Sequence, residues 1–172
     1  SIGTCVFYNC SSLTSVGEIP SSVTSIGDSA FFNCSSLISI DLSNTGVTSI
    51  GSAAFRRCGS LTSIDMPDSL TSIGDEAFLD CSSLTSVGEL SDSVTSIGNY
   101  VFSGCSKLES VDLSNTQITS IGNYVFSACK SLTSIDLPSS VTSIAGYAFN
   151  SCTNLTTINY HGTPEQFAAI TV

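Results

Sequence analysis

The residues of this chain able to carry chemistry are eight cysteines, one histidine and fourteen carboxylates, set among 36 serines and 18 threonines. Thiols suit zinc or disulfides, a histidine beside a hydroxyl suits nucleophilic catalysis, and paired carboxylates suit calcium or acid–base work. The spacing withholds most of this. No Cys-x-x-Cys pair occurs and His161 is the only histidine, so the Cys/His signature of a zinc site is missing. The serines have no base beside them, and no Ser-His-acid triad can be built. The carboxylates would lie on a shallow surface with no pocket to shift their acidity. No catalytic residue, metal or cofactor is therefore expected, and the chain is read as not an enzyme.

What the cysteines show instead is regularity. Cys10, Cys34, Cys58, Cys81, Cys105, Cys129 and Cys152 follow at intervals of 24, 24, 23, 24, 24 and 23, with Cys5 outside the series. Three residues before each stands a phenylalanine: Phe7, Phe31, Phe55, Phe78, Phe102, Phe126 and Phe149. Three after stands a leucine, from Leu13 to Leu155, and three further an Ile or Val, from Val16 to Ile158. Each unit opens on Ser-Ile-Gly, from Ser1 to Ser120, and the last on Ser143-Ile144-Ala145. A longer period lies above this one: residues 1–71 align without a gap to residues 72–142 with 44 identities, the mark of a duplicated three-unit block.

Such a period predicts a solenoid, because no single unit can bury these side chains alone. Leu132 to Leu137 reads as a strand, Pro138-Ser139-Ser140 as a turn, and Val141 to Ile144 as a second extended piece. The spacing of three around Ala148, Phe149 and Cys152 suits one helical or 3₁₀ turn. Stacked about 4.8 Å apart, equivalent residues become columns of core. A column of seven cysteines cannot pair off completely, and a buried thiol ladder is the expected arrangement. Thr163-Pro164-Glu165-Gln166 carries the signature of a helix start, with Phe167 and Ile170 placed to cover the open end. The expected organisation is a solenoid over residues 1–160 and a capping segment over 161–172.

Composition sets the outer bounds. Only 10% of residues are charged, hydrophobic residues reach 41%, and the net charge is −10. A chain this apolar is not a disordered Ser/Thr linker. Its charge excludes nucleic acid and an anionic membrane surface as natural partners. No run of 18 apolar residues marks a membrane span, so no membrane insertion is expected. The chain starts in mid-pattern without Met and is expected to be a piece of a longer protein.

The composite Ser-Ile-Gly-x-x-Ala-Phe-x-x-Cys-x-x-Leu-Thr-Ser-Ile-x-Leu-Pro resembles the BspA-like, or treponemal-type, leucine-rich repeat. The clearest match is Ser25 to Leu42, and Tyr160 to Phe167 is similar to that family's usual ending. The resemblance spans essentially the whole chain. It implies a leucine-rich-repeat solenoid of the α/β horseshoe type, about seven repeats of 23–24 residues, made mostly of short parallel strands with one helical or 3₁₀ turn each. It also implies a secreted or cell-surface protein of a bacterium or parasitic protist, with adhesion to host or matrix proteins as its associated role.

Two exposed columns are candidates for that role. The residue after the strand Ile or Val reads Gly17, Asp41, Asp65, Gly88, Asp112, Asp136 and Asn159. It offers an acidic stripe to a basic partner or to calcium, against the plainer reading of a solvated strand face; two carboxylates per pair fall short of calcium's six to eight oxygens. The second column reads Cys5, Ser29, Ala53, Glu76, Tyr100, Tyr124 and Tyr147. Three consecutive tyrosines make a contact stripe for a protein partner, or else edge packing over the phenylalanines. The leading expectation is an extracellular protein-binding or adhesion module. Two alternatives stand beside it: a structural array or filament that self-associates, and an ice-binding ladder of Thr24, Thr48, Thr71, Thr95, Thr119 and Thr142. Asn9, Asn33 and Asn154 sit in glycosylation sequons, which matter only in a eukaryotic secretory pathway.

Overall fold

A computed structural model describes residues 1–171. Every extended piece is two to four residues long, so the ladder between coils does the work that strand length does elsewhere. The Thr-Ser-Ile pieces form one arc. There β1 (Ser25–Ile26), β3 (Ser49–Ile50), β5 (Ser72–Ile73) and β6 (Ser96–Ile97) make a parallel sheet, continued by β8 (Ser120–Ile121) with β10 (Ser143–Ile144). The Leu-x-Ser-Ile pieces form the other arc. There β2 (Ser39–Asp41) pairs β4 (Ser63–Asp65), and β7 (Ser110–Asp112) pairs β9 (Ser134–Leu137) and then β11 (Thr157–Tyr160). All pairs are parallel and in register, Ser on Ser (Thr157 on Ser134 in the last) and Ile on Ile or Val. The seven-unit reading of the sequence and this parallel solenoid agree.

The arc carrying Phe and Cys shows how a small repeat satisfies its backbone. Ser29, Phe31 and Asn33 donate their N–H groups to Ser52, Ala54 and Arg56 of the next coil at 2.7–2.8 Å. Between them, Ala30, Phe32 and Cys34 donate three residues back at 3.1–3.2 Å. The helical turn expected here is therefore a run of i→i+3 turns interleaved with bonds between coils. Two left-handed residues per coil keep it from winding on as a helix: Cys5 and Asn9 in the first, Tyr147 and Ser151 in the seventh, φ 57–64°. Thirteen of these positions are not glycine; only Gly104 is. Such conformations persist where surrounding bonds over-determine them, and here each of these N–H groups in the second to fifth coils is tied to the next coil.

The core is a set of columns, and the largest is aromatic. Phe7, Phe31, Phe55, Phe78, Phe102, Phe126 and Phe149 stack in one continuous pile, centroids 5.0–5.6 Å apart and planes within 17°. The five inner rings are wholly buried and the end rings are half-buried. Beside them runs the cysteine column. Cys34, Cys58, Cys81, Cys105, Cys129 and Cys152 each donate their thiol to the carbonyl of the preceding coil's phenylalanine, at 2.9–3.3 Å. All eight cysteines are free.

The Ser-Ile-Gly glycine is required by closeness. A Cβ on Gly74 would meet Ser52 N at 2.7 Å and Gly51 C at 2.9 Å, both backbone of the preceding coil. Gly74→Ala should therefore lower stability by about 1–3 kcal/mol in urea unfolding. Gly146→Ala, where nothing lies within 4 Å, should change it by under about 0.5 kcal/mol.

At the C-terminal end, α1 (Pro164–Ala168) starts on a capping box. Gln166 N–H donates to Thr163 Oγ1 at 3.2 Å, and Thr163 N–H donates to Gln166 Oε1 at 2.8 Å. Phe167 tilts over Tyr160, centroids 5.5 Å apart, and Thr171 bridges to Ser143. Of the expected cap, Val172 lies outside the described residues.

Candidate functional site

The three tyrosines are brought together. Tyr100, Tyr124 and Tyr147 each take the first left-handed position of their coil, φ 58°, 57° and 64°. Tyr100 N–H donates to Asn123 O at 3.0 Å, which fixes coil on coil. The rings stack on one another at 4.8 and 5.1 Å, planes within 9°, in a second pile outside the phenylalanine pile. Their faces are turned to each other, so edges and hydroxyls meet solvent; Tyr100 is 37% exposed and Tyr147 65%.

A second aromatic run on the same arc has no counterpart in the sequence reading. Tyr8 stacks on Phe32 at 4.7 Å, the Arg56 guanidinium lies 5.7 Å over the Phe32 ring, and Arg56 pairs with Glu76. Glu76 belongs to the tyrosine column, one coil before Tyr100. Aromatic, cation and carboxylate thus follow one another along the arc from Tyr8 to Tyr147. The signal in sequence is the residue after each phenylalanine, which reads Tyr8, Phe32 and Arg56 in the first three units.

The aspartates come together in two pairs rather than one stripe. Asp41 registers with Asp65, and Asp112 with Asp136. Gly88, at φ 67°, interrupts the series between them, and there the arc keeps only a Ser63–Ser86 bridge. Like charges in register repel, and turn donors offset this. Asp41 accepts from Ser43 Oγ at 2.6 Å and Ser43 N–H at 2.8 Å, which holds its pKa below the ordinary carboxylate value. Ser114 does the same for Asp112. Asp136 is occupied by Asn159 Nδ2 at 3.1 Å and His161 Nε2 at 3.0 Å, so the lone histidine is part of the cap's attachment.

Two shallow depressions lie on the surface, and only the first takes a paired aspartate into its lining. One of about 310 Å³ is lined by Gly17, Glu18, Ile19, Asp41 and Asn44. One of about 330 Å³ is lined by Asp68, Glu89, Leu90, Asp92 and Asn115. Glu89 and Asn115 are the duplicates, 71 residues on, of Glu18 and Asn44. The threonine column is exposed from Thr24 to Thr142, and four of its hydroxyls, those of Thr48, Thr71, Thr95 and Thr142, donate to the preceding coil's threonine carbonyl at 2.8–3.3 Å. Tyrosines and aspartates sit on different arcs of the coil, so the structure joins neither set to the other.

A parallel solenoid of 23–24-residue coils with Leu, Ile, Phe and Cys columns defines a leucine-rich-repeat protein. The chain belongs to the family described as the BspA type leucine rich repeat region, which matches residues 1–89 and 88–170 in six copies. The Treponema pallidum leucine-rich-repeat protein superimposes with a TM-score of 0.77 at 31% identity, over 86% of this chain and 71% of that one. A leucine-rich cell surface protein of Faecalibacterium prausnitzii superimposes with a TM-score of 0.61 at 26% identity, over 98% of this chain and 65% of that one. The pneumococcal vaccine antigen PcpA shares the fold at 18% identity, with a TM-score of 0.66, over 90% of this chain and 35% of that one. Among curated proteins none matches the sequence. The fold is one commonly used to bind proteins, and no helix among the described residues is long and apolar enough to cross a membrane.

Proposed function

We propose that the chain is an extracellular protein-binding or adhesion module that holds a host, matrix or cell-surface protein against its tyrosine ladder and performs no catalysis. One observation carries this reading: three tyrosines stacked in register on the outside of the solenoid, where solvation gives no reason for them. Tyrosine offers a large rigid contact area at low entropy cost, and the ladder holds it preformed. The pairs Asp41/Asp65 and Asp112/Asp136 serve as a second, acidic face that favours a basic partner. The extracellular setting is supported by the likeness to a protein described as a cell surface protein.

The test is a pull-down of matrix and cell-surface proteins by the folded chain, beside a variant carrying Tyr100→Ser, Tyr124→Ser and Tyr147→Ser. A partner held by the parent should be lost in the variant, with a drop in affinity of at least about tenfold. A partner held equally by both would move the contact to the aspartate face. No partner at micromolar concentrations, with light scattering that grows with protein concentration, would favour a self-associating array.

A further inference from the structure

We infer that the tyrosine ladder is also a site of oxidative cross-linking: exposed to a one-electron oxidant, neighbouring coils join through dityrosine at Tyr100–Tyr124 or Tyr124–Tyr147. Dityrosine forms when two phenoxyl radicals meet ring to ring, and in solution that meeting is rare because it is bimolecular. Here the meeting is built in. The rings lie 4.8 and 5.1 Å apart, and their coils are held in register by backbone bonds such as Tyr100 N–H to Asn123 O. Fixed neighbours turn a bimolecular step into an effectively unimolecular one. The rings are reachable by an oxidant, Tyr147 most of all. A bond between them needs the stacked rings to swing until their edges meet, and the solvent side leaves room for that.

The remaining tyrosines lack this arrangement, which makes them controls within the same chain. Tyr8 stacks on a phenylalanine, which has no phenol to oxidise. Tyr160 tilts against Phe167, and its hydroxyl is engaged with the carbonyls of Ser139 and Val141 at 3.0 and 3.3 Å.

A haem-peroxidase-type oxidant, working on hydrogen peroxide, takes one electron and the phenol proton from each of two tyrosines. The two phenoxyl radicals form a carbon–carbon bond between the ring positions beside the oxygens. The two ring hydrogens at that bond then move to the oxygens and restore both phenols. In sum, two tyrosines and one hydrogen peroxide give one dityrosine and two waters. The product is a covalent staple along the axis of the solenoid.

The chain is suited to the assay. Its four basic residues, Arg56, Arg57, Lys107 and Lys130, place Tyr100, Tyr124 and Tyr147 in three different tryptic peptides, 58–107, 108–130 and 131–172. The folded chain, dilute enough to be monomeric, is treated with peroxidase and hydrogen peroxide and digested. Expected are dityrosine fluorescence and peptide 108–130 linked to 58–107 or to 131–172, lighter than the sum by two hydrogens. Tyr124→Phe keeps the stack and the fold, checked by circular dichroism, and should reduce both linkages to background. Tyr147→Phe should remove only the link to 131–172, which separates Tyr147 from Tyr160 in that peptide. Absence of linked peptides in the parent, linkage mainly between chains, or links that survive Tyr124→Phe would each overturn the inference. None of these outcomes depends on whether a partner binds the ladder.

Discussion

Phe78→Ala is expected to lower stability by about 3–5 kcal/mol in denaturant unfolding, as truncation of any of the wholly buried inner phenylalanines should. Phe78 is wholly buried between Phe55 at 5.3 Å and Phe102 at 5.6 Å. Its removal leaves a ring-sized hole that the coils cannot close, because their separation is set by the backbone ladder. Phe78 N–H is bonded to Val101 O, and the Phe78 carbonyl accepts the Cys105 thiol at 3.3 Å. In a solenoid each coil touches only its neighbours, so a hole at the middle also weakens the coupling of the two halves. The same change at Phe149, a half-buried end ring, should cost clearly less, and the unfolding transition should broaden or split relative to the parent's only for the central variant. Equal losses at both positions would show that the aromatic pile is not the element that couples the coils.

The solenoid was legible because stacking maps one repeat position onto one column. A residue type repeated seven times at one spacing, such as the phenylalanines and cysteines, has little other explanation than a shared environment. The left-handed pairs were less legible. Asn9, Asn33, Asp80 and Gly104 carry the usual signature at the second position, but the first is filled by Cys5, Ser29, Ala53, Glu76 and the three tyrosines, none of which favours that conformation. The bonds between coils, not local preference, set it, and a turn inferred from spacing alone reads as helical.

The candidate faces divide in the same way. A shared repeat position puts Tyr100, Tyr124 and Tyr147 side by side, and both stacking on each other and packing over the core satisfy that position equally. The four aspartates share one repeat position and so read as one stripe, because the left-handed turn at Gly88 has no signature beyond a glycine shared with position 17. The contact of Arg56 with both Phe32 and Glu76 crosses from one column to another, so no column by itself contains it. Repetition reveals what is periodic; the links between columns are set by side-chain reach and appear only in three dimensions.

The thiol ladder leads to the second large effect, a steep loss of stability in alkali. Burial pushes the Cys34 thiol up to about 11 and Cys58 to about 12, each raised further by the neighbouring thiol in the column. Cys81, Cys105 and Cys129 lie well above the ordinary value for the same reasons. In the unfolded chain these thiols ionise near 9.0. Below pH 9 both states keep their protons, and stability is full. As pH rises above 9 the unfolded chain releases protons that the folded chain retains, so the folded state is progressively disfavoured until its own thiols titrate. Each such thiol contributes about 1.4 kcal/mol per pH unit. Counting only Cys58, Cys81, Cys105 and Cys129, half ionised in the unfolded chain at pH 9 and almost fully at pH 10, stability should fall by roughly 4 kcal/mol across that interval, a large share of the whole stability of an ordinary domain. Ionisation also removes the proton that each thiol donates to a phenylalanine carbonyl, for example Cys58 to Phe31 at 3.1 Å. Unfolding followed by circular dichroism across pH 8–11 should therefore show a sharp loss of structure above 9. A variant with those four cysteines changed to alanine should start less stable but decline with a much flatter slope. An equally steep decline in that variant would assign the alkaline sensitivity to other groups, and a flat profile in the parent would mean that the column is not held as buried thiols.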